Sequence, residues 1–130
     1  MASYTLQREV PYGFDETRTK VVEALKVEGF GVLTEIDVKD TLKKKIDVEF
    51  RPYTILGACN PKLAHKALGS EEEIGVLLPC NVCLSQIDSK TTRILAMDPV
   101  AAMGSFSSNT SIQEVASEVK ERLERVLESI

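Results

Sequence analysis

The chain has 130 residues, 43% hydrophobic and 28% charged, with 7 glycines, 5 prolines and a formal net charge of -4. That balance excludes disordered and fibrous classes and predicts one folded domain spanning 1–130. The acidic total argues against a nucleic-acid surface. The one basic run, Lys43-Lys44-Lys45, has no interleaved aromatics and reads as a solvated face.

No apolar run reaches transmembrane length, and Met1-Ala2-Ser3-Tyr4-Thr5 opens no signal-peptide core. Three cysteines, an odd number, do not complete a disulfide framework. The expectation is a cytoplasmic protein with reduced thiols and no membrane contact.

Tyr4 to Val10 reads as a first strand, and Pro11-Tyr12-Gly13 turns the chain toward Asp15, a capping residue for a helix over Glu16 to Glu28. Val21, Val22 and Leu25 supply its apolar face, and Gly29 can take the left-handed conformation that ends it. A strand follows from Phe30 to Ile36. Asp37 then caps a short helix, Val38 to Ile46, whose apolar positions Val38, Leu42 and Ile46 recur every four residues.

Glu49 and Arg51 to Gly57 bring a further strand up to Cys59. Asn60-Pro61 supplies a capping side chain and a proline at the first helical position, so a helix is predicted over Lys62 to Leu68, ended by Gly69. Val76 to Leu78, Val82 to Ile87 and Arg93 to Met97 read as strands, the last two joined as a hairpin by Asp88-Ser89-Lys90. Asp98 to Asn109 is a long connection, with a short helix around Ala101 to Met103 as its alternative. Ser111-Ile112-Gln113-Glu114 is a capping box that opens a helix to Glu128 with Ile112, Val115, Ala116, Val119, Leu123, Val126 and Leu127 on one face.

These elements predict an α+β fold, a two-layer α/β sandwich with a mainly antiparallel sheet and helices on one face. The other sheet face then needs cover, and a second copy of the chain is the simplest source.

The chemistry concentrates in two near-mirrored clusters, Cys59-Asn60-Pro61 and Pro79-Cys80-Asn81. Cys59 precedes a helix N-terminus, where backbone amides and the helix dipole favour negative charge. It is therefore the candidate nucleophile, redox thiol or ligand, set against its plainer role as a small apolar residue ending a buried strand. Cys80-Asn81-Val82-Cys83 has CxxC spacing, but in extended chain positions three apart point to opposite faces. Adding His65 makes a formal Cys3His set without the ligand-presenting turns of zinc sites. His65 is six positions from Cys59, which does not define a dyad. Glu35 with Asp37, and Asp98 before Pro99, are carboxylates better explained as a cap and a turn. No P-loop, dinucleotide fingerprint or serine elbow is present.

Glu35-Ile36-Asp37, Thr41-Leu42-Lys43, Tyr53-Thr54-Ile55-Leu56-Gly57-Ala58-Cys59-Asn60-Pro61, Ala64, Ala67-Leu68, Ile74-Gly75-Val76-Leu77-Leu78-Pro79-Cys80-Asn81-Val82 and Met97-Asp98-Pro99 together closely resemble the bacterial and archaeal domain of unknown function 302. The resemblance covers nearly the whole chain. It implies a compact two-layer α/β unit with an antiparallel sheet, seen as a homodimer, and no established activity. It marks Cys59, Asn60, Pro61, Pro79, Cys80 and Asn81 as the positions of interest; Cys83 departs from the apolar residue usual there.

The resulting expectation is a cytoplasmic homodimeric binding module whose small ligand, metal or protein partner engages a pocket near Cys59 and Cys80. The alternative is a thiol-dependent enzyme or redox sensor using Cys59. A third reading leaves the cysteines as packing in an interaction scaffold. Cofactor, metal and catalytic residues stay unassigned at this level.

Overall fold

A computed structural model describes residues 4–104 and 107–130. Alternating apolar residues fold into strands β1 (Thr5–Val10), β2 (Gly31–Asp37), β3 (Tyr53–Cys59), β4 (Cys80–Asp88) and β5 (Thr91–Met97). They form a five-stranded sheet in the order β1-β5-β4-β3-β2, with every neighbouring pair antiparallel. One face is the core face: Leu56 pairs with Val82, Val82 with Ala96 and Ala96 with Leu6, and Leu56, Val82 and Ala96 are buried.

Helices α1 (Phe14–Val27), α3 (Pro61–Ser70) and α4 (Thr110–Glu128) belong to the layer that buries this face. Val21 and Leu25 of α1 join Ile112, Val115, Val119, Leu123 and Val126 of α4 in one apolar cluster with the strands. The spacing of these residues leaves α4 a single apolar stripe, so burial of that stripe holds the layers together. The predicted α+β sandwich is therefore the observed fold.

The ends of α1 show how local chemistry sets boundaries. At its C-terminus the Phe30 amide donates to the Leu25 carbonyl at 2.9 Å and the Gly29 amide to Lys26 at 3.0 Å. Gly29 has φ +85°. This is a Schellman closure, and the positive φ is why glycine stands there. At the other end Gly13, not Asp15, is the N-cap. Asp15 lies within the first turn, where its charge complements the helix dipole.

Two other predicted features differ, α3 also runs past its predicted end at Gly69 to Ser70, and the segment after β5 takes its predicted alternative. Val76 to Leu78 is not a strand: Glu72–Leu77 form a 3-10 turn that buries Ile74. The apolar run there is too short for strand alternation, and Pro79 removes the amide a ladder would use. The Ser111 capping box does not form. Asn109 caps α4 instead, its side chain accepting from the Ser111 amide at 2.9 Å, and its Nδ2 donates to Ser70 Oγ at 2.7 Å. That second bond ties α4 to α3 and selects Asn109 over Ser111. The connection after β5 holds the short helix predicted as its alternative, a π-helical turn over Val100–Gly104 that buries Met103; residues 105–106 of the predicted connection lie outside the described residues.

Helix α2 (Val38–Ile46) is capped by Asp37, which accepts from the Asp40 amide at 2.9 Å. It buries none of its residues. Lys43 and Lys44 are held by Asp47, Glu49 and Asp40, so two lysines of the basic run are ion-paired on a solvent face.

Asn109→Ala should lower unfolding stability by ~1 kcal/mol or more in urea melts, whereas Ser111→Ala should leave the midpoint nearly unchanged. The reverse ranking would place the cap where the sequence pattern alone puts it.

Candidate functional site

The two Cys-Asn clusters meet because β3 and β4 are antiparallel neighbours. Ala58 pairs with Cys80 and Gly57 with Asn81. At Cys59 the strand ends, Asn60 Oδ1 accepts from the Leu63 amide at 3.2 Å, and Pro61 stands at the start of α3. The asparagine thus satisfies an orphan helix donor and the proline occupies a position that needs none. Gly57 permits the close approach: a Cβ there would sit 2.1 Å from Thr34 Oγ1 and 2.9 Å from Pro79 Cγ. The Leu78–Pro79 peptide is cis.

Cys59, Asn60, Pro79 and Cys80 line one crevice between the sheet end and the helices. Phe30, Leu63, Ala64 and Ala67 form one side, with Leu78, Met103, Val115 and Val119 closing the rest. Its free volume is ≈ 20 Å³. A water needs ~10–15 Å³ on this scale, whereas clefts for organic ligands run to several hundred. The crevice is therefore of the size of a single water, well below a cleft that holds an organic ligand.

Burial pushes the Cys80 thiol up to about 11, and the nearby Cys59 adds a smaller effect in the same direction. In an apolar lining the neutral thiol is the favoured form, because a thiolate would lose its hydration without a compensating donor. Cys83 takes no part. It belongs to the opposite sheet face, paired with Ile55 and linked to Tyr53. Burial raises the Cys83 thiol and, with the Cys83 hydrogen bond second, pushes Tyr53 up to about 12. The CxxC therefore diverges, as strand geometry requires.

The remaining candidates scatter. Pro61 lines a separate groove with Gly29, Lys62 and Arg122. Asn81 is exposed, and so is His65, which is not part of the crevice lining. Among the described residues no three His, Cys, Asp or Glu side chains converge as metal ligands, so the formal Cys3His set does not assemble. Glu35 is bound by Arg18, whose hydrogen bond lowers the carboxyl below its usual range. Asp98 Oδ1 accepts from the Val100 and Ala101 amides at 3.0 and 3.3 Å, and Oδ2 meets Lys120 at 3.1 Å. Asp98 is thus the anchor of the turn that delivers Met103. A larger hollow of ≈ 580 Å³ lies between β1 and α4, lined by Thr5 to Arg8, Glu124, Leu127 and Glu128. It is broadly open to solvent and remote from the cysteines.

Sequence reasoning missed Met103 and the helical walls of the crevice. Leu63 with Ala67, and Val115 with Val119, are four apart and so share a helix face, a signal present in the sequence. Met103 had none, because a π turn has no apolar period to detect.

This arrangement defines a class: a small α+β domain with a paired-cysteine crevice at the end of an antiparallel sheet. Over residues 6–130 the chain matches the family model described as "Domain of unknown function DUF302", and it belongs to that family. It is also similar to the crystal structure of the uncharacterized conserved protein DUF302 from Bacillus stearothermophilus, with a TM-score of 0.88 and 31% identity over 98% of each chain. No curated protein matches the chain. No helix among the described residues is long and apolar enough to cross a membrane.

The Cys80 thiol makes a pH prediction. Its folded value, about 11, lies above the ordinary 9.0. Its contribution is therefore whole below the unfolded pKa and is lost as pH rises through the folded one. Between about pH 8 and about pH 11.5 the protein should lose ~2–3 kcal/mol more stability than Cys80→Ala, measured by urea melts. Tyr53 and Cys83 titrate in both proteins and cancel from the difference. Parallel pH profiles would mean that Cys80 is not held in a desolvated site.

Proposed function

We propose that the chain acts in the cytoplasm as a homodimeric binding module, holding a small ligand at the Cys59–Cys80 crevice and pairing through the open face of its sheet. The observation that carries the binding site is the meeting of the two clusters at one crevice, achieved by strand register and helix capping together. The volume selects a ligand of atomic or water size. It disfavours the thiol-enzyme alternative, which needs an open cleft and a base beside Cys59; His65 is exposed elsewhere on α3.

The pairing surface is supported by the register across the second sheet face. Ile36 pairs with Ile55, Ile55 with Cys83, Cys83 with Leu95 and Leu95 with Gln7. This row crosses all five strands, and Ile36 is 47% exposed. Ile46 and Val48, at the end of α2, add further exposed apolar surface. A two-fold axis through such a row would lay like against like and bury both copies at once. Exposed Arg93 and Glu9 flank it as a polar rim.

Native mass spectrometry of freshly purified protein should show the mass of two chains, with any retained ligand as an increment on it. Ile55→Asp should give a folded monomer in sedimentation at micromolar concentration, since a carboxylate on each side of the interface would be desolvated against its twin. A parent protein that sediments as a monomer would remove the interface.

A further inference from the structure

Three sulfur-bearing residues from three separate segments line the same crevice: Cys59 at the end of β3, Cys80 at the start of β4 and Met103 in the π turn. We infer that this crevice is a binding site for a soft monovalent cation, Cu(I), held by the Cys59 and Cys80 thiolates with the Met103 thioether beside them. The inference rests on the reading of the crevice as a ligand site and names the ligand.

Size, donor type and surroundings each support it. A volume of ≈ 20 Å³ admits one ion stripped of its water. Mg²⁺ and Ca²⁺ are poor occupants, since they demand oxygen ligands and Mg²⁺ keeps much of its hydration. Zn²⁺ takes four ligands, usually His, Cys or carboxylate, and among the described residues no such group of even three converges. Thiolate and thioether donors in a low coordination number are the set that selects Cu(I).

The rest of the lining is apolar except for Asn60, so water does not compete for the ion. Met103 is buried at 1% exposure by a turn that Asp98 anchors through two backbone amides. The fold thus spends a polar anchor on placing a thioether at this spot. Cys80 is buried at 5% and Cys59 is half-buried, so an ion would enter from the Cys59 side.

Binding would proceed by exchange: Cu⁺ arrives, each thiol gives up its proton to solvent, and the two thiolates and the cation leave one net negative charge. The N-terminus of α3 follows Cys59 directly through its cap Asn60, so its partial positive charge lies close enough to offset part of that charge. No electron is transferred in the step.

The test is an anaerobic titration of the reduced protein against a chromophoric Cu(I) chelator such as bicinchoninate. One equivalent per chain should be withdrawn from the chelator. Losing a residue that merely supports a ligand costs ~10–100-fold in affinity, so Cys59→Ser and Cys80→Ala should each lose more than ~100-fold, Met103→Leu about 10-fold, and Cys83→Ser nothing. Because Cys80→Ala alters the core, a measurement on unmutated protein stands beside it: one equivalent of Ag(I) should protect Cys59 from iodoacetamide while Cys83 is unaffected. X-ray absorption on the copper-loaded protein should show sulfur neighbours alone.

Undiminished Cu(I) binding in Cys59→Ser, loss of binding in Cys83→Ser, or full alkylation of Cys59 with Ag(I) present would overturn the assignment. The broader binding reading fails differently. A non-metal mass increment in the native spectrum that Cys59→Ser removes would keep the crevice as a site and discard copper. A native spectrum without an increment, together with no withdrawal from the chelator, would discard both.

Discussion

The antiparallel register of β3 and β4 at their shared end is the constraint on which the rest depends. Ala58 opposite Cys80 and Gly57 opposite Asn81 bring together two clusters that neither helix capping nor local propensity could join. A slip of one residue would turn every side chain of β4 to the other face, burying Cys83 and exposing Cys80 and Val82. The register is held by the buried row Leu56, Val82 and Ala96, and by the missing Cβ of Gly57. Any side chain at residue 57 would collide with Thr34 of β2 and with Pro79, the residue that precedes β4, so one glycine fixes the spacing of three segments.

That constraint decides the character of the site. The crevice lies where strand ends, the Leu78-Pro79 segment, a π turn and two helices meet, and most of what they bring is apolar. Low polarity keeps the Cys80 thiol neutral, and the close packing leaves only ≈ 20 Å³ between the walls. Each property follows from the packing of Leu63, Ala67, Val115 and Val119, which are core residues first and pocket walls as a consequence. Stability and site are therefore built from the same contacts.

The two faces of the sheet have opposite fates in the single chain. One is closed by α1, α3 and α4 around Leu25, Ile94 and Leu123, each at most 1% exposed. The other carries the row Ile36, Ile55, Cys83 and Leu95, of which Ile36 is 47% exposed. Helix α2 shows the same imbalance. Its apolar positions recur at helical spacing, yet none is fully buried: Val38 and Leu42 are half-buried where α2 meets β2 and β3, and capping by Asp37 and the lysine pairs add to that shallow packing.

What the sequence determined by itself is everything that depends on neighbours a few residues apart. The apolar period of α4, the Asn60-Pro61 start of α3, the Gly29 closure of α1 and the alternation in β3, β4 and β5 are all local, and these features formed, whereas the ends set by longer-range contacts moved: α3 runs past Gly69 to Ser70, and α1 and α4 are capped at Gly13 and Asn109. The divergence of Cys80 from Cys83 was equally legible, since it follows from strand geometry alone. Only the tertiary structure decided that Cys59 and Cys80 line one crevice, because strand register is a long-range property. It replaced Ser111 by Asn109 as the α4 cap, since the bond from Asn109 to Ser70 joins distant segments. It also wound the segment after Asp98 into a π turn, whose backbone bonds follow no apolar period, and so put Met103 beside two cysteines far from it in sequence.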